Sequence, residues 1–144
     1  MKNSFSLIEL IFVIVIIGIL AGVALPKLFS GVDDALYSKA QTQIATIRAG
    51  ISSSYSKNIM SGEGDSCPEL EKDTDDGYVF ENVLAQPLKE NSGNVKWKYE
   101  SNSSTETNYT LTIDNKSSKF VYEKNSSQNC PFKCYSGDLC NKLK

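Results

Sequence analysis

Apolar residues follow three successive patterns along this chain of 144 residues. From Phe5 to Leu25 they are nearly continuous: of these 21 residues only Ser6 and Glu9 are strongly polar. At 1.5 Å per residue the run predicts a helix of about 31 Å, long enough to cross a bilayer core. A secretory signal has a shorter apolar stretch, no acid within it and a small-residue cleavage site at its end. Here Pro26 and Lys27 close the run instead. A buried helix of a soluble core fits no better, because no second comparable apolar helix exists to cover it. The run reads as membrane-spanning.

Past Pro26 the period becomes helical and one-sided. Leu36, Ala40, Ile44, Ile47, Ile51, Tyr55 and Ile59 recur at steps of three or four, with Asp33, Lys39, Gln43, Arg48 and Lys57 on other faces. Joined to the first run this predicts one helix from Phe5 to about Met60, 56 residues or about 84 Å if unbroken. Gly18, Gly22 and Pro26 are the expected places of bending, because proline removes a backbone hydrogen bond and glycine weakens a helix. Gly50 and Ser52 to Ser54 weaken the distal part of that helix. Gly62 and Gly64 end it and open an acidic loop through Gly77.

The third pattern is alternation. Val95, Trp97 and Tyr99 alternate with charges, Tyr109, Leu111 and Ile113 alternate with threonines, and Phe120 and Tyr122 follow an Asp114-Asn115 turn. These predict an antiparallel meander of about three strands, one face on the helical stripe and the other in water. Tyr78 to Leu88 fits either a short helix or a strand, ended by Pro87. Asn125 to Lys144 shows little periodicity. The fold class is α+β: a long amino-terminal helix, spanning in its first half and amphipathic in its second, on a small sheet with a disulfide-stapled carboxy-terminal tail.

Glu9 changes the picture most. A charge at the centre of a bilayer costs about 2.5 to 3.5 kcal/mol on insertion scales, so an acid entering such a segment marks a function and calls for a cation. The stretch Ser4-Phe5-Ser6-Leu7-Ile8-Glu9-Leu10, behind a leader with Lys2, resembles the processing site of the type IV pilin-like family, which includes type IV pilins, type II secretion pseudopilins and competence pilins. Ser4 stands where glycine is usual. The resemblance implies that a prepilin peptidase cuts between Ser4 and Phe5 and methylates the new terminus. It also implies that Glu9 pairs with the Phe5 ammonium of a neighbouring subunit as a helical filament assembles, and that Gly18 and Pro26 are helix-weakening positions. It covers residues 1 to about 60 by motif and the remainder by layout. The implied organisation is a leader at 1–4, a transmembrane and assembly helix at 5–26, its amphipathic continuation at 27–60 and a periplasmic head at 61–144. Implied partners are other pilin-like subunits, the peptidase, an inner-membrane platform protein and an assembly ATPase. The other reading is a single-span protein in the inner membrane that displays a binding or adhesion domain and never polymerises.

The remaining chemistry is sparse. Net charge is −2, so nothing global points to nucleic acid. Locally, Ser61 to Asp76 holds seven acids against Lys72, and Lys116 to Lys144 holds six lysines against Glu123 and Asp138. The chain has no histidine, which excludes Ser-His and Cys-His nucleophilic catalysis and most zinc hydrolysis; no enzyme is expected and no cofactor is required. Asp73, Asp75 and Asp76 are candidate calcium ligands of an irregular site. Cys67, Cys130, Cys134 and Cys140 predict two disulfides with three connectivities, Cys67 joining the acidic loop to the tail because the other three are close together in sequence. A zinc site is the competing use of these cysteines, weakened by the absence of a Cys-x-x-Cys pair. Asn102, Asn108, Asn115 and Asn125 head glycosylation triplets, and Asn102, Asn108 and Asn125 have an acid two residues before them. A DNA-binding reading rests on Lys116, Lys119, Lys124, Lys133 and Lys142 interleaved with Phe120, Tyr122, Phe132 and Tyr135. Solvated lysines around core aromatics are the more economical account of that tail.

Overall fold

The computed structural model describes residues 6–64 and 66–143, with side chains except at residues 26–30 and 126. In chain order the elements are α1 (Leu7–Ser61), β1 (Tyr78–Val79), β2 (Leu88–Lys89), β3 (Val95–Asn102), β4 (Glu106–Ile113), β5 (Lys116–Glu123), a 3-10 turn (Ser126–Gln128) and β6 (Phe132–Gly137). Contacts divide the chain into two compact units, Met1–Ala35 and Leu36–Lys144.

The end of α1 is set by Gly62, whose φ of 78° is costly for any residue with a Cβ. The Gly62 N–H donates to the Ile59 carbonyl and the Glu63 N–H to the Asn58 carbonyl, the paired bonds of a Schellman cap. In the second unit the face of α1 carrying Ala40, Ile44, Ile47 and Ile51 is buried against Trp97, Tyr109, Leu111, Ile113, Phe120 and Tyr122 of the sheet. This is the helix-on-sheet arrangement expected from the two periodicities. Leu36 and Tyr55 pack at its margin. Ile59 is 51% exposed, so the stripe ends at Tyr55, one turn earlier than its spacing predicts.

The sheet has four antiparallel strands in the order β3-β4-β5-β6, one more than the alternation predicts. The added strand lies in the tail expected to be irregular. Its Phe132 and Lys133 face Tyr122 and Val121, and a register shift follows at Lys119/Phe120. That shift, together with a cysteine standing at an inward position, hides the period of two. The β4–β5 turn is Asp114-Asn115 as expected, both with positive φ (44° and 64°), the geometry a two-residue hairpin loop demands. Of residues 78–88 only the two ends are strand, β1 and the first residue of β2, with turns between them and no helix; β1 and β2 form a two-stranded ribbon with Tyr78 opposite Lys89 and Val79 opposite Leu88. Phe80, next to it, is fully buried and stands edge-on to Trp97 at 5.3 Å between ring centroids.

The cysteines pair as Cys67–Cys130 and Cys134–Cys140. Cys67 thus joins the acidic loop to the tail as expected. All four sulfurs are used in disulfides, which corrects the zinc reading, since a zinc site needs free thiolates.

Candidate functional site

The amino-terminal segment is built around the start of α1. The Ser6 carbonyl accepts from the Glu9 N–H (3.0 Å) and the Leu10 N–H (3.2 Å), making Ser6 the residue that opens the helix. Glu9 lies in the first turn. There a carboxylate sits beside unpaired backbone N–H groups and the positive end of the helix dipole, and Ser6-Leu7-Ile8-Glu9 has the spacing of a capping box. Leu7–Leu25 follows with a mean hydropathy of 3.0 and none of it buried, long and apolar enough to cross a membrane. Glu9 is its only ionisable side chain. Such a segment needs apolar surroundings on every side, and those surroundings would strengthen any attraction between Glu9 and a cation. Ser4 and Phe5, the expected processing residues, lie outside the described residues. Gly18 and Pro26 fall within α1, which runs through both without interruption.

The other candidates disperse. The Asp73 carboxylate accepts from the Asp75 N–H (3.0 Å) and the Asp76 carboxylate from the Tyr78 N–H (2.9 Å), so both serve the turns of their own loop. Among the described residues no group of three or more acids, cysteines or histidines is placed to hold a metal ion. The calcium reading of Asp73, Asp75 and Asp76 is corrected accordingly: short acidic side chains in this loop bond its backbone in preference to converging. Asn102 and Asn125 are exposed, whereas Asn108 is half-buried inside β4 and not in a loop as the acceptor reading requires. For the DNA reading, Phe120, Tyr122 and Phe132 are core residues, and only Tyr135, 55% exposed, offers a face for stacking. Lys124 pairs with Glu69 at 2.7 Å, Lys133 with Glu123 at 3.2 Å, and Lys142 lies over the Tyr37 ring at 4.6 Å. The interleaved cations and rings therefore fold the head together, and the stacking set does not form.

Glu71 is the residue that sequence reasoning missed. Its carboxylate accepts the Phe80 N–H at 3.0 Å and the Tyr109 O–H, fastening the acidic loop to the sheet. Burial pushes its pKa up, opposed by the hydrogen bonds from Tyr109 and Phe80 and reinforced by Glu81 and Asp76. The Phe80 φ of 63° is unusual for a bulky residue, and the bond to Glu71 occupies the N–H that this conformation turns toward the loop. As one acid among seven in Ser61 to Asp76, Glu71 carries no sequence signal of its own.

Residues 1–25 match the family model described as the prokaryotic N-terminal methylation motif. No curated protein and no solved structure matches the chain. The motif implies prepilin peptidase processing and assembly with similar subunits, belongs to structural and not enzymatic proteins, and with the apolar helix fits single-pass anchoring in the inner membrane. Motif and apolar helix together are consistent with the type IV pilin-like family.

Proposed function

We propose that the chain is a structural subunit, a pseudopilin or minor pilin, of a type II secretion-like or DNA-uptake filament. It is drawn from the inner membrane after cleavage between Ser4 and Phe5, with the head in the periplasm. One observation carries the reading: the methylation motif at residues 1–25 coincides with the exposed apolar segment Leu7–Leu25 of α1, whose sole ionisable side chain is Glu9.

The chemistry is electrostatic. Cleavage creates an ammonium on Phe5, and in apolar surroundings that ammonium and a Glu9 carboxylate attract strongly, whereas either left alone bears its desolvation cost. Assembly into a filament brings the Phe5 terminus of one subunit to Glu9 of the next, relieving both charges and setting the axial register. A bend at Gly18 and Pro26 accommodates the helix in that packing. The platform protein and assembly ATPase supply the work of extraction.

Mass spectrometry of the amino-terminal peptide from the native protein tests this. The expected result is a peptide beginning at methylated Phe5. A peptide still beginning at Met1 would leave the single-span, non-polymerising reading in its place. Comparing secretion with DNA uptake in a deletion strain then separates the two filament roles.

A further inference from the structure

The chain carries four Asn-x-Ser/Thr triplets, headed by Asn102, Asn108, Asn115 and Asn125. Such a triplet is an acceptor only where a transferase can reach the asparagine amide, and the fold sorts the four on that ground. Asn108 lies inside β4, with Ser101 of β3 on one side and Val121 of β5 on the other. Asn102 ends β3, and its carboxamide oxygen accepts the Thr107 hydroxyl at 2.7 Å, which ties that triplet into the β3–β4 hairpin. Asn115 occupies the β4–β5 turn with a φ of 64° and has the apolar Ile113 two positions before it.

Asn125 differs from all three. It follows β5 and opens the 3-10 turn Ser126–Gln128, outside the ladders of the sheet. Asn125, Ser127, Gln128 and Asn129 are exposed, and their hydrogen bonds among the described residues close the segment on itself and on Cys130. The Cys67–Cys130 disulfide anchors its far end. Within the triplet the Ser127 hydroxyl donates to Asn125 Oδ1 at 2.7 Å, and the Ser127 N–H donates to the same oxygen at 3.2 Å. The third residue of the triplet thus holds the carboxamide by its oxygen, and Nδ2 has no partner among the described residues. Capping the 3-10 turn needs only that oxygen, so an aspartate would serve it as well. The turn accounts neither for the amide nitrogen nor for Glu123, the acid two residues before. Its contact with Lys133 at 3.2 Å is a surface pair, which costs little to exchange.

We propose that Asn125 is an N-glycosylation site, the acceptor for a transferase that faces the same compartment as the head and whose donor is an oligosaccharide on a lipid pyrophosphate. Asn125 Nδ2 bonds to C1 of the first sugar as the C1–O bond to the pyrophosphate breaks. The lipid pyrophosphate leaves with that electron pair, and the Nδ2 proton passes to a base of the transferase. Ser127 orients the amide, and the Glu123 carboxylate offers a charged contact to a cationic group of the transferase. A bulky, hydrated sugar chain then stands just beyond the end of β5. The inference rests on the export of the head that the filament reading requires, which the two disulfides favour independently, and not on polymerisation.

The test is mass spectrometry of the full chain purified from its own membranes and reduced, with fragmentation that keeps side-chain modifications in place. The peptide containing Asn125 is expected to carry the mass of a sugar chain on that residue, and Asn102, Asn108 and Asn115 to be unmodified. Asn125→Gln and Ser127→Ala are expected to abolish the added mass and Ser127→Thr to keep it, because the triplet requires asparagine first and a hydroxyl third. Glu123→Gln is expected to lower the modified fraction about ten-fold, the loss of one contact to a charged group. A bare Asn125, a sugar on the other three asparagines alone, or added mass that survives Asn125→Gln on a neighbouring serine would overturn the proposal. The amino-terminal peptide of the same digest keeps the two readings apart. Bare Asn125 in a chain that begins at Phe5 removes this site and leaves the filament, whereas modified Asn125 in a chain still beginning at Met1 removes the filament and leaves the site.

Discussion

At the scale of the residue, Glu9 and Glu71 are both carboxylates in places that disfavour charge, yet only Glu9 was visible in the sequence. The surroundings of Glu9 are its own neighbours along the chain, so an acid within an apolar run is evident by inspection. The surroundings of Glu71 are Phe80, nine positions on, and Tyr109, 38 positions on, which meet only in the folded head. Burial raises the folded pKa of Glu71 above its usual value. The sign follows: between the unfolded and the folded pKa the native state holds a proton that the unfolded chain has released, so stability from this group is greatest at low pH and falls as pH rises through that window. Glu71→Gln is expected to remove this falling component, seen as the wild-type minus variant difference in urea stability across the acid range. Trp97, buried and the only tryptophan, reports unfolding by fluorescence. Glu71→Ala leaves the Phe80 N–H and Tyr109 O–H without their acceptor and is expected to cost about 2 to 3 kcal/mol at neutral pH.

At the scale of the element, periodicity identified α1 and three strands, because each buries one face and the side chains record it. Gly50 shows where local rules mislead. Taken alone it weakens a helix, yet α1 continues through it to Ser61, and the glycine leaves room there for the Val83 carbonyl oxygen, into which a Cβ would run. Gly50→Ala therefore sets a gain of about 1 kcal/mol in helix propensity against an overlap costing about 1 to 3 kcal/mol. A net fall in the urea midpoint is expected, where an open helical position would show a rise. β6 escaped notice for the opposite reason. Its pattern is short and shifted, and it becomes a strand by completing the edge of β5.

At the scale of the whole molecule, the two disulfides divide the work of holding the tail. Cys67–Cys130 closes a separation of 63 residues and Cys134–Cys140 one of 6. By loop-closure entropy, replacing the first pair with serines is expected to cost about 4 kcal/mol and the second about 2 kcal/mol, an order that urea titrations of the two variants check. For assembly, Glu9→Gln is expected to insert normally while its recovery in sheared filaments falls by about a hundred-fold or more, since removing one partner of a buried charge pair costs about 3 to 5 kcal/mol; undiminished recovery would remove the Glu9 contact from the mechanism. The sequence alone determined the membrane-length helix, the processing motif, the amphipathic stripe and the alternating strands, because each is a pattern of neighbours set by the pitch of a helix or the pleat of a strand. Only the tertiary structure decided which cysteines pair, that the tail supplies a fourth strand, that the tail aromatics are core and that Glu71 fastens the acidic loop. Those depend on contacts between residues distant in the chain, and the interaction of two side chains leaves no periodic trace in the order of the residues between them.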